Sequence, residues 1–518
     1  MTLNTLLIHP LVLTLQKTSQ KVFSTTRMVV ANGHCVKFQT GCLRVLMAVL
    51  ALAIPVRASD WYVDSNAGGA NDGTSWANAW KSLANISGVQ PGDTVFISGG
   101  SSSQTYSVNA WSPPGGVDGN PITYQTGQDA GHNGVVILNA NGNQFCLSDT
   151  SNVVFSGNVN GAQNMELTGQ SDRAIYIGRP GTHNMRFSYL YIPDAPGVFY
   201  INNVVNENGF EVDNSWIHKN SPPASNGGRP DDVFYLGGVA GGGFDTNLIH
   251  DNYVEMPCNA SEPAFGDDGI KWGDGTSVYN NHFKIYLDSN YPYGPQYQHA
   301  DIAQISGDYW KFYGNFYENV GESVLFHDNN GSVSGNFQHI WFYNNIIWQN
   351  PAQRISAVAR GLDFEPQDNG RSVFDDVLVA NNSFCNITST FCLRFTAATF
   401  QNCNVVNNLF INCNSPSAGA VAGVSWFYNK GSGAPSSSGP ANNNPVVFIN
   451  LGAGDLHLAS TDTGAIGAGT NFPAGQFTTD KDGKTRPASS WALGAYEYSS
   501  SGPTGPQVSK NLRIAPGR

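Results

Sequence analysis

Positive charge is scarce in this sequence. Only 26 Lys and Arg stand against 38 Asp and Glu among 518 residues, which gives a formal net charge of -12 at pH 7. All charged residues together make up 12% of the composition. An acidic chain is repelled by phosphate backbones and anionic lipids, so the bulk charge argues against nucleic acid or an anionic membrane as partner. An acidic polysaccharide would need a local cationic patch or a bound metal ion.

Several other signals are missing. No pair of cysteines has the spacing of zinc ligands, and no serine-centred elbow stands out. The glycine-rich stretch GGVAGGGF at Gly237 has no helical pattern after it, so it indicates a turn rather than a nucleotide-binding loop. Beyond residue 58 the sequence allows either a disulfide or buried free thiols for its six cysteines, which are Cys146, Cys258, Cys385, Cys392, Cys403 and Cys413.

The first 58 residues lack acidic residues altogether but contain six Lys and Arg. The apolar run VLMAVLALAIPV at Val45 to Val56 is too short to span a bilayer, and Val56-Arg57-Ala58 fits a small-residue cleavage site. We therefore expect a signal peptide over residues 1–58 and a secreted protein, extracellular or periplasmic. Its mature charge would be -18, with no membrane contact after cleavage. An uncleaved membrane anchor is the alternative.

The remaining chain contains a repeated phrase in which an apolar or aromatic pair precedes an Asn and another apolar pair follows it. The copies centre on Asn214, Asn252, Asn281, Asn315, Asn345, Asn382 and Asn408. A period in the twenties to thirties, short β-branched and aromatic runs and 58 glycines favour a β-solenoid. Asn tolerates left-handed backbone angles and can bond the Asn of the next coil, so we expect each copy to form a tight bend.

Three segments follow from this pattern: the signal peptide 1–58, one β-helix domain 59–498, and a disordered Ser/Gly/Pro-rich tail 499–518. A strict coil needs roughly 20 to 25 residues, so the surplus must leave the coil as loops. We expect those insertions at Asn220 to Gly243 and at Lys284 to Gln298, where they would frame a groove beside the middle coils.

Both ends of the domain carry a family resemblance. WYVDSNAGGANDGTSWANAWKSLANI with PGDTVFISGG resembles the first coil of secreted right-handed parallel β-helix proteins of the pectate lyase-like superfamily. FINLGAGDLHLASTDTGAIGAG with DKDGKTRP and LGAYEY is similar to their closing segment. The resemblance covers about Asp60 to Tyr498 and implies an all-β, single-stranded right-handed parallel β-helix. It leaves the reaction open, because the superfamily contains lyases, hydrolases, epimerases and non-catalytic adhesins.

Alignment of the coils on their Asn bends predicts two rows of polar side chains. With Ile270, Ala303, Val324 and Leu362 facing inward, one outward row contains Lys271, Gln304, Leu325 and Asp363, with His327 and Glu365 two residues further on. A second row, two residues before the inward set, contains Asp268, Asp301, Glu322 and Arg360. We place this second row in the bend where each strand begins, since buried unpaired charges would be costly.

These rows predict a groove for a polysaccharide. Gln304, His327, Asp363 and Glu365 would bind the substrate, together with the rings of Tyr291, Tyr293 and Tyr297. Asp268, Asp301 and Glu322 would hold Ca²⁺ as hard oxygen ligands. Many lyases of the superfamily combine acidic metal ligands with a Lys or Arg base, and the resemblance implies Lys271 or Arg360 as base, with His299 assisting the leaving oxygen and Asp301 nearby.

Two other functions fit the same residues. In a glycoside hydrolase, Asp267 or Asp268 would act with Asp301 or Asp363 as paired carboxyls. The polygalacturonase-like pattern is incomplete, because GDDG is present without Arg-Ile-Lys or Gly-His-Gly, and no DPHE-type epimerase segment occurs. A non-catalytic glycan-binding β-helix is the third possibility, but its flat Thr or Asn ladders would not need charged middle coils. We therefore expect a monomeric, polysaccharide-degrading lyase.

Overall fold

The structure is a computed structural model. It describes residues 26–31, 34–39, 58–109, 111–202, 209–219, 232–237, 243–258, 268–287, 301–326, 336–352, 360–365, 373–388, 391–396, 399–417, 421–435, 439, 443–471 and 477–500.

Three long sheets of parallel strands lie between Asp60 and Gly431, and from Ile122 to Ser417 the chain passes from sheet 1 to sheet 2 to sheet 3 in each coil. Sheet 1 contains Asp60–Val63, Thr94–Ile97, Ile122–Thr126, Val153–Ser156, Met185–Ser188, Phe210–Asp213, Asn247–His250, Thr276–Tyr279, Trp310–Tyr313, Phe337–Tyr343, Val373–Ala380, Thr399–Gln401, Cys403–Val406 and Val424–Phe427. Sheet 2 contains Ser103–Ser107, Val135–Asn139, Met165–Thr168, Leu190–Ala195, Trp216–Lys219, Tyr253–Cys258, His282–Leu287, Phe316–Glu318, Ile346–Trp348, Ser383–Cys385, Leu409–Ile411 and Lys430–Gly431. Sheet 3 contains Phe145–Cys146, Arg173–Ile177, Gly197–Ile201, Phe234–Leu236, Ile270–Trp272, Asp301–Ile305, Glu322–Phe326, Arg360–Phe364, Phe391–Phe395 and Ser415–Ser417.

This topology confirms the predicted all-β parallel β-helix. Its right-handed sense stays a prediction, supported by the strong preference of parallel crossovers for that hand. The other described elements are small: antiparallel pairs at Asn158–Val159 with Ala162–Gln163 and at Phe448–Asn450 with Asp455–Leu458, and short 3-10 helices at Leu83–Asn85 and Leu451–Ala453.

The core lies inside the coils and is built from stacked apolar side chains. On sheet 1, Ile249 pairs with Val278, Val278 with Phe312, and Phe312 with Phe342, and all four are fully buried. Because neighbouring parallel strands lie about 4.8 Å apart, each residue packs on the equivalent residue of the next coil. Such stacking stabilises a coil only through its neighbours, as expected for a solenoid.

Two residues connect sheet 1 to sheet 2 in most coils, and they form the predicted Asn bend. The first adopts a left-handed backbone, as at Asp251 with φ of 55° and Asn280 with φ of 54°. The second is buried and donates its amide Nδ2 to the Oδ1 of the equivalent Asn in the next coil, 3.0 Å away for Asn252 and Asn281. The same bond joins Asn281, Asn315, Asn345, Asn382, Asn408 and Asn429 in sequence.

This Asn ladder confirms the bend that the repeat predicts, with one correction of register. In the first copy the ladder position belongs to Ser215, not to Asn214, because the Ser215 backbone N–H donates to Asn252 Oδ1 at 3.0 Å. Asn214 instead adopts the left-handed position, with φ of 48°.

The longer connections border sheet 3 on both edges. Between sheets 2 and 3 they span residues 220–233, 259–269, 288–300 and 349–359, and between sheets 3 and 1 they span 237–246, 327–336 and 365–372. Strands occupy part of each of the two predicted insertions, so the inserted segments are shorter than the sequence predicts. Phe234–Leu236 is a regular strand of sheet 3, and His282–Leu287 extends sheet 2 to Leu287.

Residues 1–58 form a separate compact unit, in which Thr26–Ala31 and His34–Gln39 pair as antiparallel strands. The boundary between the two units falls after Ala58, where the sequence predicts cleavage, and the signal peptide stays a prediction. Among the described residues, no helix has the length and apolar character needed to cross a membrane. The described thiols of Cys146, Cys385, Cys392, Cys403 and Cys413 are free. Cys385, Cys392 and Cys403 are buried, as the second prediction has it, whereas Cys413 is partly buried and Cys146 is exposed.

Candidate functional site

One row of outward side chains runs the length of sheet 3, and we call it the outer row. Strand pairing aligns its members in this order: Cys146, Tyr176, Tyr200, Tyr235, Lys271, Gln304, Leu325, Asp363 and Arg394. The predicted inward residues Ile270, Ala303, Val324 and Leu362 are aligned and fully buried. The coil register expected for the middle coils is therefore the register that the structure has.

A second set of polar residues lies where the strands of sheet 3 begin, and we call it the start row. It contains Asp232, Asp268, Asp301, Glu322 and Arg360, the last three being the first residues of their strands. Asp268 and Asp301 are buried, with 8% and 1% of their surface exposed. The side chains of Glu322 and Arg360 lie outside the described residues.

The ammonium group of Lys271 lies among the carboxylates of the start row. Its Nζ is 3.0 Å from Asp268 Oδ2 and 3.9 Å from Asp232 Oδ1. Burial alone would lower the pKa of Lys271, but the charges of Asp268, Asp232 and Asp301 outweigh burial and raise it well above its usual value. The ring of Trp272, itself in a left-handed conformation with φ of 64°, lies 5.9 Å from the same nitrogen.

Further along the outer row, Arg394 binds two of the predicted substrate-binding acids. Its Nη1 is 2.9 Å from Asp363 Oδ2, and its Nη2 is 2.9 Å from Glu365 Oε1. Asp363 is fully buried and Gln304 is 4% exposed, so neither presents surface to a ligand in this structure. Outward-facing residues of a central strand are covered when larger neighbours pack over them, and Arg394 does this for Asp363.

On the other side of Lys271 the outer row is aromatic. The ring centroids of Tyr176 and Tyr200 are 5.7 Å apart, those of Tyr200 and Tyr235 are 4.5 Å apart, and both pairs are stacked. The guanidinium carbon of Arg173 lies 3.8 Å from the Tyr200 centroid. Gly237 leaves room for the neighbouring ring, since a Cβ there would lie 2.4 Å from Cε1 of Tyr235. These tyrosines form a flat platform that leads to Lys271.

Other predicted site residues fall outside the described part of the chain. His299, His327, Tyr291, Tyr293 and Tyr297 all lie there, and their roles stay predictions. Within the described residues, Lys271 lies 3.0 Å from Asp268, and the charge of Asp301 acts on Lys271, while the roles of all three stay predictions.

Sequence reasoning missed Asp232, Arg394 and the tyrosine platform. Alignment on the Asn phrase compared the sheet 3 strands of only four coils. The pattern that identifies the remaining sheet 3 strands lies in the sequences of those strands themselves. RPDDVFYLGG repeats the pattern of GDDGIKWG one coil earlier, and AIYIG, VFYIN and VFYLG repeat one another. Alignment on these strands would have placed Asp232 beside Asp268 and each tyrosine above Lys271.

A different cluster, on the outer face of sheet 1, brings metal-ligand side chains within 4.8 Å of one another: Glu211, Asp213 and His250. Arg186 pairs with both carboxylates, at 3.3 Å from Glu211 and in closer contact with Asp213. Burial lowers the pKa of His250, but its bonds to Asp251 and Glu211 and the Asp213 charge raise it to about 9. Because Arg186 already places a cation against both carboxylates, we interpret this cluster as an ion-pair network.

Comparison with known proteins gives resemblances among solved structures. Neither a protein-family model nor a curated protein matches the chain. The chain is similar to pectate lyase Pel9A, with 14% identity over 86% of this chain and 98% of that chain and a TM-score of 0.39. It is also similar to the PL6 family alginate lyase AlyGC, with 14% identity over 72% of this chain and 53% of that chain and a TM-score of 0.39.

A third similar structure is the GH136 lacto-N-biosidase from Eubacterium ramulus, with 14% identity over 76% of this chain and 70% of that chain and a TM-score of 0.37. The likeness is one of fold. At such identities and TM-scores it carries no argument about the reaction, which has to come from the side chains on sheet 3.

Proposed function

We propose that the protein is a secreted, monomeric polysaccharide lyase that cleaves a uronic-acid-containing polysaccharide by β-elimination in a groove on sheet 3. The observation that supports this most directly is the position of Lys271, whose ammonium group lies among Asp232, Asp268 and Asp301. The long connections on both edges of sheet 3 would form the walls of the groove.

In this proposal Lys271, in its neutral form, removes the proton on the carbon next to the uronate carboxylate. The bond between the neighbouring carbon and the glycosidic oxygen then breaks, a carbon–carbon double bond forms, and the oxygen leaves with the electron pair. His299 would give a proton to that oxygen. Arg360 is the alternative candidate for the base.

Substrate binding would use the two flanks of the outer row. Sugar rings would pack on Tyr176, Tyr200 and Tyr235, and the Arg173 guanidinium would attract a uronate carboxylate. On the far side of Lys271, Arg394 would hold Asp363 and Glu365 in place. His327, Tyr291, Tyr293 and Tyr297 complete the proposed contacts.

The carboxylates of the start row are hard oxygen donors of the kind that Ca²⁺ prefers, and two of them, on Asp232 and Asp268, lie 3.9 Å and 3.0 Å from the Lys271 ammonium nitrogen. Asp268, Asp301 and Glu322 are the proposed ligands, with Asp232 as a further candidate. Bound Ca²⁺ would neutralise the uronate carboxylate and so stabilise the charge that develops during proton removal. A polyanion would otherwise be repelled by the carboxylates themselves.

Elimination is favoured over hydrolysis by the amine that lies among the carboxylates of the start row. A hydrolase works with two carboxyl groups and needs no amine between them. Elimination needs a base beside the uronate, and Lys271 would supply it next to Asp268 and Asp232.

The test is to incubate the mature protein with acidic and neutral polysaccharides, with and without a chelator, and to follow ultraviolet absorbance and reducing ends together. Rising absorbance on a uronate polymer would support elimination, and its loss with chelator would support the cation. Reducing ends without absorbance would mean hydrolysis and contradict the proposal. Glycan binding with no rise in ultraviolet absorbance and no new reducing ends would favour a non-catalytic role.

A further inference from the structure

The corner where sheet 1 strands begin has a left-handed backbone in coil after coil. Strand pairing aligns one residue per coil at this corner, and the residue is usually Asn or Gly, as at Asn152, Asn184, Gly209, Gly275, Asn402 and Gly423. Asn and Gly are the residues that adopt such angles most readily. Two coils place a ring at this corner, Tyr309 and His339, each with φ of 59°, and the coil after them places Asp376 there, with φ of 55°.

A bulky ring in a left-handed conformation is unfavourable for the backbone, and such departures concentrate at functional sites. Tyr309 and His339 stack on each other, with centroids 4.6 Å apart and planes 23° apart. Their backbone conformation therefore turns two aromatic side chains toward the same outer face.

Two more rings complete this surface, which we call the aromatic platform: Phe244, Tyr309, His339 and Trp341. Phe244 packs against Trp341 with centroids 4.4 Å apart and against Tyr309 edge-on at 5.6 Å. All four side chains are half-buried, so part of each ring faces solvent. Half-exposed rings of this kind offer flat apolar contact area beside polar groups, as sugar faces require.

One ammonium group and two carboxylates border the aromatic platform. Lys311 Nζ lies 4.6 Å from the Phe244 centroid and 2.7 Å from Asp245, whose side chain is 52% exposed. Asp376 accepts a hydrogen bond from His339 at 2.6 Å, with its side chain 36% exposed. Two carboxylates against one ammonium repel a uronate, whereas exposed carboxylate oxygens accept hydrogen bonds from neutral sugar hydroxyls.

We propose that the aromatic platform is a second carbohydrate-binding site, which takes a neutral oligosaccharide segment on sheet 1. The proposal does not rest on the elimination site, because its residues lie on a different sheet from Lys271. Such a site would hold the enzyme on the neutral part of a composite polysaccharide while uronate segments enter the groove on sheet 3.

The test uses the pattern of the other coils. Replacing both rings at the corner, Tyr309→Asn with His339→Asn, keeps a residue that suits the left-handed backbone and removes the stacked pair. Tyr189→Asn is the matched control, since Tyr189 is also left-handed, with φ of 54°, at a corner away from the platform. Affinity electrophoresis in gels containing soluble galactomannan, xyloglucan, β-glucan or polygalacturonate measures binding.

We expect the wild-type protein and the Tyr189 variant to be retarded by at least one neutral polysaccharide, and the double variant to bind it at least ten-fold more weakly. Thermal unfolding should show the double variant folded, and a Lys271→Ala variant should keep neutral-glycan binding whether or not elimination is found. Equal retardation of the double variant would overturn the proposal, as would a wild-type protein retarded only by polygalacturonate or by none of the four.

Discussion

Asp268 and Lys271 lie three residues apart at the start of one strand, and a carboxylate oxygen of the first is 3.0 Å from the ammonium nitrogen of the second. The pair is not an exposed surface ion pair, since the side chains are 11% and 28% exposed. The Asp268 charge favours the protonated form of Lys271, and the proposed reaction needs the neutral form, so its rate should depend on pH.

If Lys271 is the base, elimination should accelerate with pH. Without a cation the neighbouring carboxylates raise the pKa of Lys271, and a cation bound to them would offset part of that rise. Below the pKa of Lys271 the neutral amine increases about tenfold per pH unit. We expect kcat/KM to rise through the alkaline range and Lys271→Ala to lose at least 100-fold while retaining uronate binding. A pH profile that is flat from about 7 to about 10 would remove Lys271 from the role of base.

Tyr235 precedes Lys271 in the outer row and should bind the sugar next to the scissile bond. We expect Tyr235→Ala to raise KM about five-fold with little change in kcat, corresponding to about 1 kcal/mol of lost ring contact. Tyr235→Phe keeps the ring and should resemble the wild type. A fall in kcat with unchanged KM for the alanine variant would contradict a binding role.

The Asn ladder should make a large contribution to stability. Asn315 is fully buried, donates to Val278 O at 2.9 Å and Asn345 Oδ1 at 3.0 Å, and accepts two bonds from Asn281. Asn315→Ala would leave these buried groups unsatisfied and should cost about 3 kcal/mol of unfolding free energy.

The control for the ladder is Asn404→Ala, because the Asn404 side chain is partly exposed and lies outside the ladder. Its cost should stay below about 0.5 kcal/mol. Denaturant unfolding of both variants measures the difference, and equal midpoints would show that the ladder is dispensable.

His250 predicts a pH dependence of stability. Its pKa is raised from 6.5 to about 9 in the folded protein, because its bonds to Asp251 and Glu211 and the charge of Asp213 outweigh burial. A raised folded pKa gives stability that is fully present below pH 6.5 and is lost as pH rises toward 9.

We expect His250→Gln to lower the unfolding free energy by about 2 kcal/mol at pH 6, and the difference from wild type to shrink as pH approaches 9. Thermal unfolding of both proteins across this range isolates the His250 contribution from other titrating groups. A difference that grows with pH would have the wrong sign and would refute the ion-pair interpretation.

The sequence predicted the coil register and the bend because both depend on local preferences that repeat. Asn at a two-residue corner and apolar residues at alternate positions leave one arrangement for Ile270, Ala303, Val324 and Leu362. Exposure was harder to predict. Asp363 points away from the core, yet it is fully buried because Arg394 from the next coil covers it, and such cover depends on side chains that no single coil specifies.

The Asn bend is short and constant in length whereas the connections at the edges of sheet 3 vary in length, and this difference affects how such a protein can evolve. At the Asn bend, two residues join the sheets although the distance along the sequence from one ladder Asn to the next ranges from 37 residues at Asn345 to 21 at Asn408. Two earlier coils have longer connections between sheets 1 and 2, at 127–134 and 157–164, whereas in the coils from Asn252 to Asn429 the added residues leave at the edges of sheet 3. Insertions and deletions there can alter the groove walls while strand pairing stays fixed, so selection can reshape what the groove admits without first rebuilding its support.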